Sequence, residues 1–249
     1  MVRSAIPPHL LKQLEHIEPD ARFSGDLPQV TSSSGKTYFA KAGSPREREQ
    51  YVGEAESLRA MALAAPGLVP SLLAFGFVDE NGEEIDRDGE GSPFFVSEYK
   101  HLIPLTERSG AILGRRLATE MHRYASPNAG YGFEVPTFCG ATRLRNGWYE
   151  TWEQCFDVLV GDLLSTLDAR GGYSNLCGKG QEVRQRRVDR LSRVPPHATC
   201  LLCRVIPALL GPLQIKPVLL HGDLWVRCFT GSHAESFTPM ADAERKHRN

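Results

Sequence analysis

The stretch Val218-Leu219-Leu220-His221-Gly222-Asp223-Leu224-Trp225 carries the strongest chemical signal in the chain. Its three branched apolar residues, 218–220, predict a buried strand or a strand-like entry, and the His-Gly-Asp that follows predicts a turn. Such a turn would present the Asp223 carboxylate at the mouth of a cleft. A carboxylate in this position can accept the proton of an attacking hydroxyl during phosphoryl transfer. Asp223 is therefore the candidate catalytic base, although an Asp after Gly is also a common turn residue.

The five residues from His221 to Trp225, preceded by two leucines, resemble the catalytic motif of the fructosamine-3-kinase (protein-ribulosamine 3-kinase) family. Its wider relatives are aminoglycoside phosphotransferases and choline kinases, which share His-Gly-Asp, and the added Leu-Trp narrows the match. The resemblance implies an α+β, two-lobed fold of the protein-kinase type, with ATP and Mg²⁺ as cofactors. It also implies phosphorylation of the 3-hydroxyl of a ketoamine, on glycated proteins or on small ketoamines.

Length and composition fit a globular protein with one large or two small domains, since 41% of the 249 residues are hydrophobic and 24% are charged. The net charge of -1 provides no overall attraction to nucleic acid or to an anionic membrane, so we expect neither as a partner. Prolines and charges interrupt the apolar run 199–220, which argues against a membrane span.

The six cysteines are scattered and follow no apolar signal peptide, which favours a reducing compartment, and we expect a cytoplasmic location. Cys200 and Cys203 have a spacing that also occurs at zinc sites. No second pair completes such a site, so we expect no structural metal.

We expect an N-terminal lobe over residues 1–100. Helical spacing of apolar residues predicts a helix over Pro8–Ile17, and a second helix is predicted over Glu49–Ala64. Between them, Thr37–Lys41 has the pattern of a strand. In kinase-like folds a strand Lys contacts nucleotide phosphates and pairs with a Glu on the following helix.

Lys41 and Glu54 are the candidates for this ion pair. The run Gly53-Glu54-Ala55-Glu56-Ser57-Leu58 resembles the family's Gly-Glu-x-x-Ser-Leu helix, which favours Glu54 over Glu47, Glu49 or Glu56. The alternative is a solvated surface helix with surplus charge, because Lys and Glu are common on exposed helices.

A third candidate element of the nucleotide site is the strand that begins at Pro93. Its exit, Glu98-Tyr99-Lys100, resembles the family's segment between the lobes, so the resemblance implies that the backbone of these residues contacts an adenine edge. The alternative is an edge strand with a charged end.

Residues 101–225 are expected to form a partial C-terminal lobe. A helix is predicted over 111–124 and another over 152–167, and the arginine-rich stretch 181–193 is interpreted as a solvated helix face rather than a nucleic-acid site.

Between the two predicted helices lies a string of aromatic residues and glycines at spacings similar to those of the family. Its members are Tyr131-Gly132-Phe133, Thr137, Gly140, Asn146-Gly147-Trp148 and Trp152. The family carries this insert beside its sugar-amine site, so Asn146, Trp148 and His221 are the candidate substrate residues. The alternative is aromatic packing, which we favour for Trp152.

We expect the resemblance, which begins near residue 10, to stop after Trp225. Cys228 occupies the position of a metal-binding Asn, and a neutral thiol is a poor ligand for Mg²⁺, so no metal ligand is assigned. Residues 226–249 have the composition of a disordered tail, as in a truncated or mis-spliced product.

Two functions remain open. The first is ketoamine phosphorylation with ATP. The second, which the metal positions favour for the chain as written, is a catalytically impaired remnant that binds nucleotide or interacts with partners. A choline- or aminoglycoside-kinase-like acceptor is a third reading, against which the insert argues.

Overall fold

A computed structural model describes residues 6–184, 205–222 and 230–231. The helices in these ranges are α1 (Pro8–Ile17), α2 (Arg48–Ala64), α3 (Glu107–Thr119), α4 (Trp152–Arg170), α5 (Ser174–Arg184) and α6 (Val205–Leu210). The strands are β1 (Phe23–Asp26), β2 (Gln29–Ser32), β3 (Thr37–Ala42), β4 (Leu72–Val78), β5 (Glu84–Ile85), β6 (Ser92–Glu98), β7 (Ile103–Pro104), β8 (Tyr131–Phe133), β9 (Thr137–Cys139), β10 (Thr142–Leu144), β11 (Gly147–Tyr149) and β12 (Thr230–Gly231).

The N-terminal part of the chain folds as a six-stranded antiparallel sheet with the strand order β1-β2-β3-β6-β4-β5. One helix packs on each of its faces. Successive residues of a strand point to opposite faces, so Phe94 lies in the core beneath α1 and Phe95 in the core beneath α2. Their exposed fractions of 2% and 1% show that both faces are covered. The predicted α+β fold is confirmed.

Four of the helices expected from the sequence are present, three of them with changed bounds, whereas the arginine-rich helix expected over 181–193 lies outside the described residues from position 185 onward. α1 has the predicted bounds, α2 begins one residue earlier, and α4 runs three residues further. α3, expected over 111–124, begins at Glu107 because the Thr106 side chain accepts a hydrogen bond from the Ser109 N–H at 3.1 Å. It ends at Thr119, and a separate 3₁₀ turn buries Met121.

Residues 131–149, named the insert below, form two small antiparallel sheets. β8 pairs with β11, and β9 pairs with β10. α4 follows directly. The predicted packing of Trp152 is confirmed, since its ring lies 6.1 Å from that of Tyr131 and 5.5 Å from that of Phe156.

Of the two forms predicted for residues 218–220, the buried strand is wrong, and the isolated bridge that Val218 makes is a strand-like entry. Val218 makes an isolated bridge with Ala125, and the side chain of Leu220 is 55% exposed. Pro217 lacks an N–H, so a ladder cannot be extended through it by donation. Apolar composition indicated burial here, but among the described residues the segment pairs only with the short stretch 124–126, which does not cover the Leu220 side chain.

The tail expected to be disordered contains a paired segment, because β12 at Thr230–Gly231 pairs with β7. The other tail residues, 226–229 and 232–249, lie outside the described ranges, as do Cys200 and Cys203. The lobe boundaries near residues 100 and 225 stay a prediction. Within the described residues, none of the helices combines the length and the apolar character needed to cross a membrane.

Candidate active site

Lys41 lies near the end of β3, on the face of the sheet that α2 covers. Tyr38 and Ala40 belong to the core beneath α1, so the alternation of the strand turns Phe39 and Lys41 to the other face. There the Lys41 Nζ donates to the Glu54 carboxylate in a direct ion pair. The pair predicted from the strand-then-helix order is confirmed.

Two aromatic rings flank the Lys41 ammonium. Nζ lies 4.3 Å from the ring centroid of Tyr51 and 5.2 Å from that of Phe95, within cation–π range. Burial raises the pKa of Tyr51 to about 12, with smaller contributions from the charges of Glu47 and Glu54. The phenol is therefore neutral at physiological pH. The Lys41 side chain as a whole is 25% exposed.

The choice of Glu54 over its neighbours is explained by their contacts. Each of the other three glutamates considered has a different partner, and none of the three is paired with Lys41. These partners are Ser44 for Glu47, Arg143 for Glu49, and Arg59 for Glu56.

Glu98, the first of the predicted adenine-contacting residues, is the last residue of β6. Its N–H donates to the Ser71 carbonyl at 2.9 Å, and its carboxylate accepts from the Lys100 Nζ at 2.6 Å. The backbone group that Glu98 offers is its carbonyl, which accepts from the Ser97 hydroxyl at 3.3 Å and has a second lone pair. A pocket of about 370 Å³ lies against Glu98 and Tyr99.

The glycines of the insert allow two strands to approach closely. Gly132 on β8 stands opposite Trp148 on β11, and its φ is 136°. A Cβ at Gly132 would overlap the carbonyl of Gly147. The Tyr-Gly-Phe and Asn-Gly-Trp motifs are therefore the two paired strands of one small sheet, which no residue with a side chain at position 132 would allow.

Asn146 is held inside the insert by its own amide. Its Nδ2 donates to the Val135 carbonyl at 2.8 Å and to the Thr137 hydroxyl at 2.9 Å. Its backbone carbonyl accepts from the Tyr149 hydroxyl at 2.9 Å. Its φ of 55° lies in the left-handed region, which Asn tolerates better than most residues. Both hydrogens of the side-chain amide are used. The side-chain oxygen is therefore the group that could accept a hydrogen bond from a bound substrate.

Two ion pairs attach the insert to its neighbours. Arg143 on β10 donates from Nε and Nη2 to the two carboxylate oxygens of Glu49 on α2, with an Nη2–Oε1 distance of 2.6 Å. These hydrogen bonds lower the pKa of Glu49. Arg145 donates to the Asp162 carboxylate on α4, from Nε at 2.7 Å and from its backbone N–H at 3.1 Å. Burial raises the pKa of Asp162, but the bonds from Arg145 outweigh it and hold the pKa below the ordinary value.

Sequence reasoning assigned no role to these four charged residues, and it considered Glu49 only as an alternative partner for Lys41. Each is an ordinary surface residue type at an ordinary position, and no motif marks Arg143 or Arg145. One signal was available: two arginines flank a single leucine between two short strand patterns.

Asp223, the predicted base, lies outside the described residues, and so does Cys228. The described segment 205–222 ends just before Asp223, with His221 half-buried. The Tyr131 hydroxyl of the insert donates to the Ile215 carbonyl in this segment. The structure thus brings the insert against the chain that leads into the His-Gly-Asp motif.

Among the described residues, no group of three or more His, Cys, Asp or Glu side chains could hold a metal ion. The Lys41 ammonium, which is held by Glu54, has the charge that a nucleotide phosphate needs in a partner.

The sheet order, the strand Lys paired with a helix Glu, and the strand exit at Glu98 define a kinase-like fold. The sequence model of the fructosamine kinase family matches residues 23–240, most of the chain. The chain belongs to this family. The match continues past Trp225, so our expectation that the resemblance ends there is wrong.

Individual relatives agree with this assignment. A chloroplastic protein-ribulosamine 3-kinase of Oryza sativa subsp. japonica is 27% identical over 198 residues, which cover 79% of this chain and 49% of the relative. The chain thus spans about half the length of the curated relatives it matches.

Two solved structures share the fold. A protein of Thermobifida fusca assigned as a fructosamine-3-kinase superposes with a TM-score of 0.52 and 17% identity, over 82% of this chain and 62% of its own. A similarly assigned protein of Haemophilus somnus gives a TM-score of 0.50 and 16% identity, over 70% and 60%.

Proposed function

We propose that this chain transfers the γ-phosphoryl group of ATP to the 3-hydroxyl of a ketoamine, on a glycated protein or on a small ribulosamine or fructosamine. The observation that carries the proposal is the Lys41–Glu54 ion pair, formed on the sheet face between two aromatic rings. Membership of the fructosamine kinase family supports a phosphotransferase of this kind.

In the proposed reaction the residues divide into three groups. Lys41, positioned by Glu54, holds the nucleotide phosphates, and the backbone from Glu98 to Lys100 contacts the adenine edge. Asp223 takes the proton of the 3-hydroxyl while the hydroxyl oxygen bonds to the γ-phosphorus. The bond between the γ-phosphorus and the β,γ-bridging oxygen breaks, and that oxygen leaves with ADP. Mg²⁺, when bound, neutralises the phosphate charge.

The acceptor side of the proposed site consists of Asn146, Trp148 and His221. The side-chain oxygen of Asn146 can accept a hydrogen bond from a sugar hydroxyl, because its amide hydrogens are already used. The contact of Tyr131 with the Ile215 carbonyl supports this arrangement, since it joins the insert to the chain that enters the His-Gly-Asp motif.

The second candidate is a catalytically impaired chain that binds nucleotide without efficient transfer. Cys228 favours it, because the family has a metal-binding Asn at that position and a neutral thiol is a poor ligand for Mg²⁺. Both candidates use Lys41, but they differ in what Asp223 contributes.

The test measures nucleotide binding and turnover separately. A fluorescent ATP analogue is titrated against the chain, Lys41→Met, and the matched control Lys12→Met, whose partner Glu83 is 3.7 Å away on the exposed surface. We expect Lys41→Met to bind roughly tenfold more weakly or worse, and the control to bind as the original chain does. Absence of binding by the original chain would refute both candidates.

Turnover is then followed with MgATP and a small ribulosamine. Transfer that disappears in Asp223→Asn, with nucleotide binding retained, supports the kinase. Binding without transfer supports the impaired chain.

A further inference from the structure

Gly53, the residue just before Glu54, is the place where the insert touches α2. A Cβ built on Gly53 would lie 2.5 Å from the Pro136 carbonyl oxygen, much closer than any real contact. The helix therefore accepts the backbone of the insert at this point because the residue has no side chain. Gly in a helix interior carries a cost in helix propensity, so a packing reason is needed, and the Pro136 carbonyl supplies it.

A second contact fixes the same face of α2 one turn earlier. The Glu49 carboxylate is gripped by Arg143, and Arg143 stands opposite Phe138 in the β9–β10 pair. Positions 49 and 53 are four residues apart, which places them on one side of a helix. Two different parts of the β9–β10 unit thus hold one face of α2.

The candidate acceptor residue Asn146 bonds both residues that flank Pro136. Its Nδ2 donates to the Val135 carbonyl and to the Thr137 hydroxyl. A ligand that moves or orders Asn146 therefore acts on the three-residue segment whose central carbonyl is seated on Gly53. From Gly53 the next residue along the helix is Glu54, the partner of Lys41.

We propose that the insert is a positioning element for the nucleotide site, and that acceptor and nucleotide binding are coupled through the seat of Pro136 on Gly53. This rests on the proposed function, because it assigns acceptor binding to the insert and nucleotide binding to Lys41. The helix α2 couples the two sites. When α2 is in contact with the insert, Glu54 pairs with Lys41, and when α2 is displaced from the insert, Glu54 moves away from Lys41. Coupling of this kind is reciprocal, so each ligand favours the other.

The test uses two glycine-to-alanine changes within helices. In Gly53→Ala the new methyl meets the Pro136 carbonyl, whereas in the control Gly114→Ala on α3 it meets no atom within 4 Å. Both changes favour helix formation to the same degree. Any loss in Gly53→Ala that is absent from Gly114→Ala therefore comes from the seat and not from helix propensity.

Three quantities are measured on the full chain: affinity for a non-hydrolysable ATP analogue with Mg²⁺ by calorimetry, amide hydrogen exchange of residues 131–144 without ligand, and the urea unfolding midpoint. We expect Gly53→Ala to bind the analogue roughly tenfold more weakly and its amides to exchange faster over residues 131–144. Its urea midpoint should show that the variant is still folded in the absence of urea. Gly114→Ala should match the original chain in affinity and exchange.

A charge reversal gives an independent rescue. Glu49→Arg and Arg143→Glu should each weaken analogue binding, and the double variant should recover it, because the pair is restored with opposite polarity. Equal affinities of Gly53→Ala and the original chain would overturn the coupling and leave the proposed function intact. If the original chain binds no analogue, the proposed function fails. In that case the hydrogen exchange still tests the coupling, because unchanged exchange over residues 131–144 in Gly53→Ala would overturn it.

Discussion

Removal of the Arg145 guanidinium tests whether the insert is anchored to α4 through a buried charge. The Asp162 carboxylate is 7% exposed and accepts hydrogen bonds from the Arg145 Nε at 2.7 Å and from its backbone N–H at 3.1 Å. In Arg145→Ala the backbone bond can remain, but the charge that compensates the carboxylate is lost. A buried carboxylate without its partner destabilises the folded state.

The magnitude follows from the unequal burial of the two partners. Breaking a fully buried ion pair costs about 3–5 kcal/mol. The Arg145 side chain is 66% exposed, so water can replace much of the guanidinium, and we expect a loss of about 1–2 kcal/mol. For a chain of this size, that corresponds to a fall of about 2–8 °C in the unfolding temperature.

Urea unfolding at neutral pH measures this loss, with Arg59→Ala as the control. Arg59 and Glu56 form an ion pair on the surface of α2. The loss of the Arg59 side chain should therefore change the free energy of unfolding by less than about 0.5 kcal/mol. Arg145→Lys, which keeps the charge without the forked geometry, should fall between the two. A loss in Arg145→Ala no larger than in Arg59→Ala would refute the reasoning.

The same pair predicts a dependence on pH. The pKa of Asp162 in the folded chain lies below its ordinary value of 3.8, so the unfolded state binds more protons between the two values. The stabilisation by Arg145 should be fully present above pH 3.8 and disappear as the pH falls through the folded-state pKa. In Arg145→Ala burial is left to raise the pKa of Asp162, so the difference in stability between the original chain and the variant should be largest at neutral pH and shrink as the pH falls.

Three further changes test the fold and the metal positions. Leu14→Ala, at a fully buried position of α1, should lower the free energy of unfolding by about 2–5 kcal/mol, whereas Leu63→Ala, 69% exposed on α2, should change it by less than about 0.5 kcal/mol in the same urea titration. Thr106→Ala should cost about 1 kcal/mol through loss of the α3 cap, and a loss also seen in Thr106→Ser would contradict that explanation. Arg227→Gly combined with Cys228→Asn restores the Gly-Asn of the family, and should tighten Mg²⁺-dependent binding of an ATP analogue roughly tenfold; an unchanged affinity would count against the metal argument.

Local periodicity, together with the family-like motif at residues 53–58, was enough to predict the elements that form the proposed nucleotide site. The apolar spacing of α1 gave its bounds, and the Lys41 strand followed by the Glu54 helix gave the ion pair. Both inferences use residues that are near in sequence or that lie in a motif with a physical role. The pattern of a strand or a helix determines which face a side chain takes, but the choice of Glu54 among the nearby glutamates also needed the resemblance of residues 53–58 to the family's helix motif.

Contacts between distant segments could not be predicted in this way. Arg143 and Glu49 are 94 positions apart, and any of the exposed glutamates was an equally good partner for Arg143 in the sequence. The apolar run ending at Leu220 shows the opposite error, since hydrophobicity suggested a buried strand but says nothing about whether a neighbouring strand is available to pair with it.

The glycines of the family-like motifs have a packing role that their sequence pattern did not reveal. Gly132 allows β8 and β11 to close, and Gly53 allows the closed insert to rest on α2. Neither glycine supplies a chemical group. A side chain at Gly132 would separate β8 from β11, and a side chain at Gly53 would push the Pro136 carbonyl away from the helix that holds Glu54. Under the coupling proposed above, a motif of glycines and aromatic residues around the proposed acceptor site acts on the proposed nucleotide site through backbone contact, because the distance between α2 and the insert sets where the Glu54 carboxylate meets Lys41.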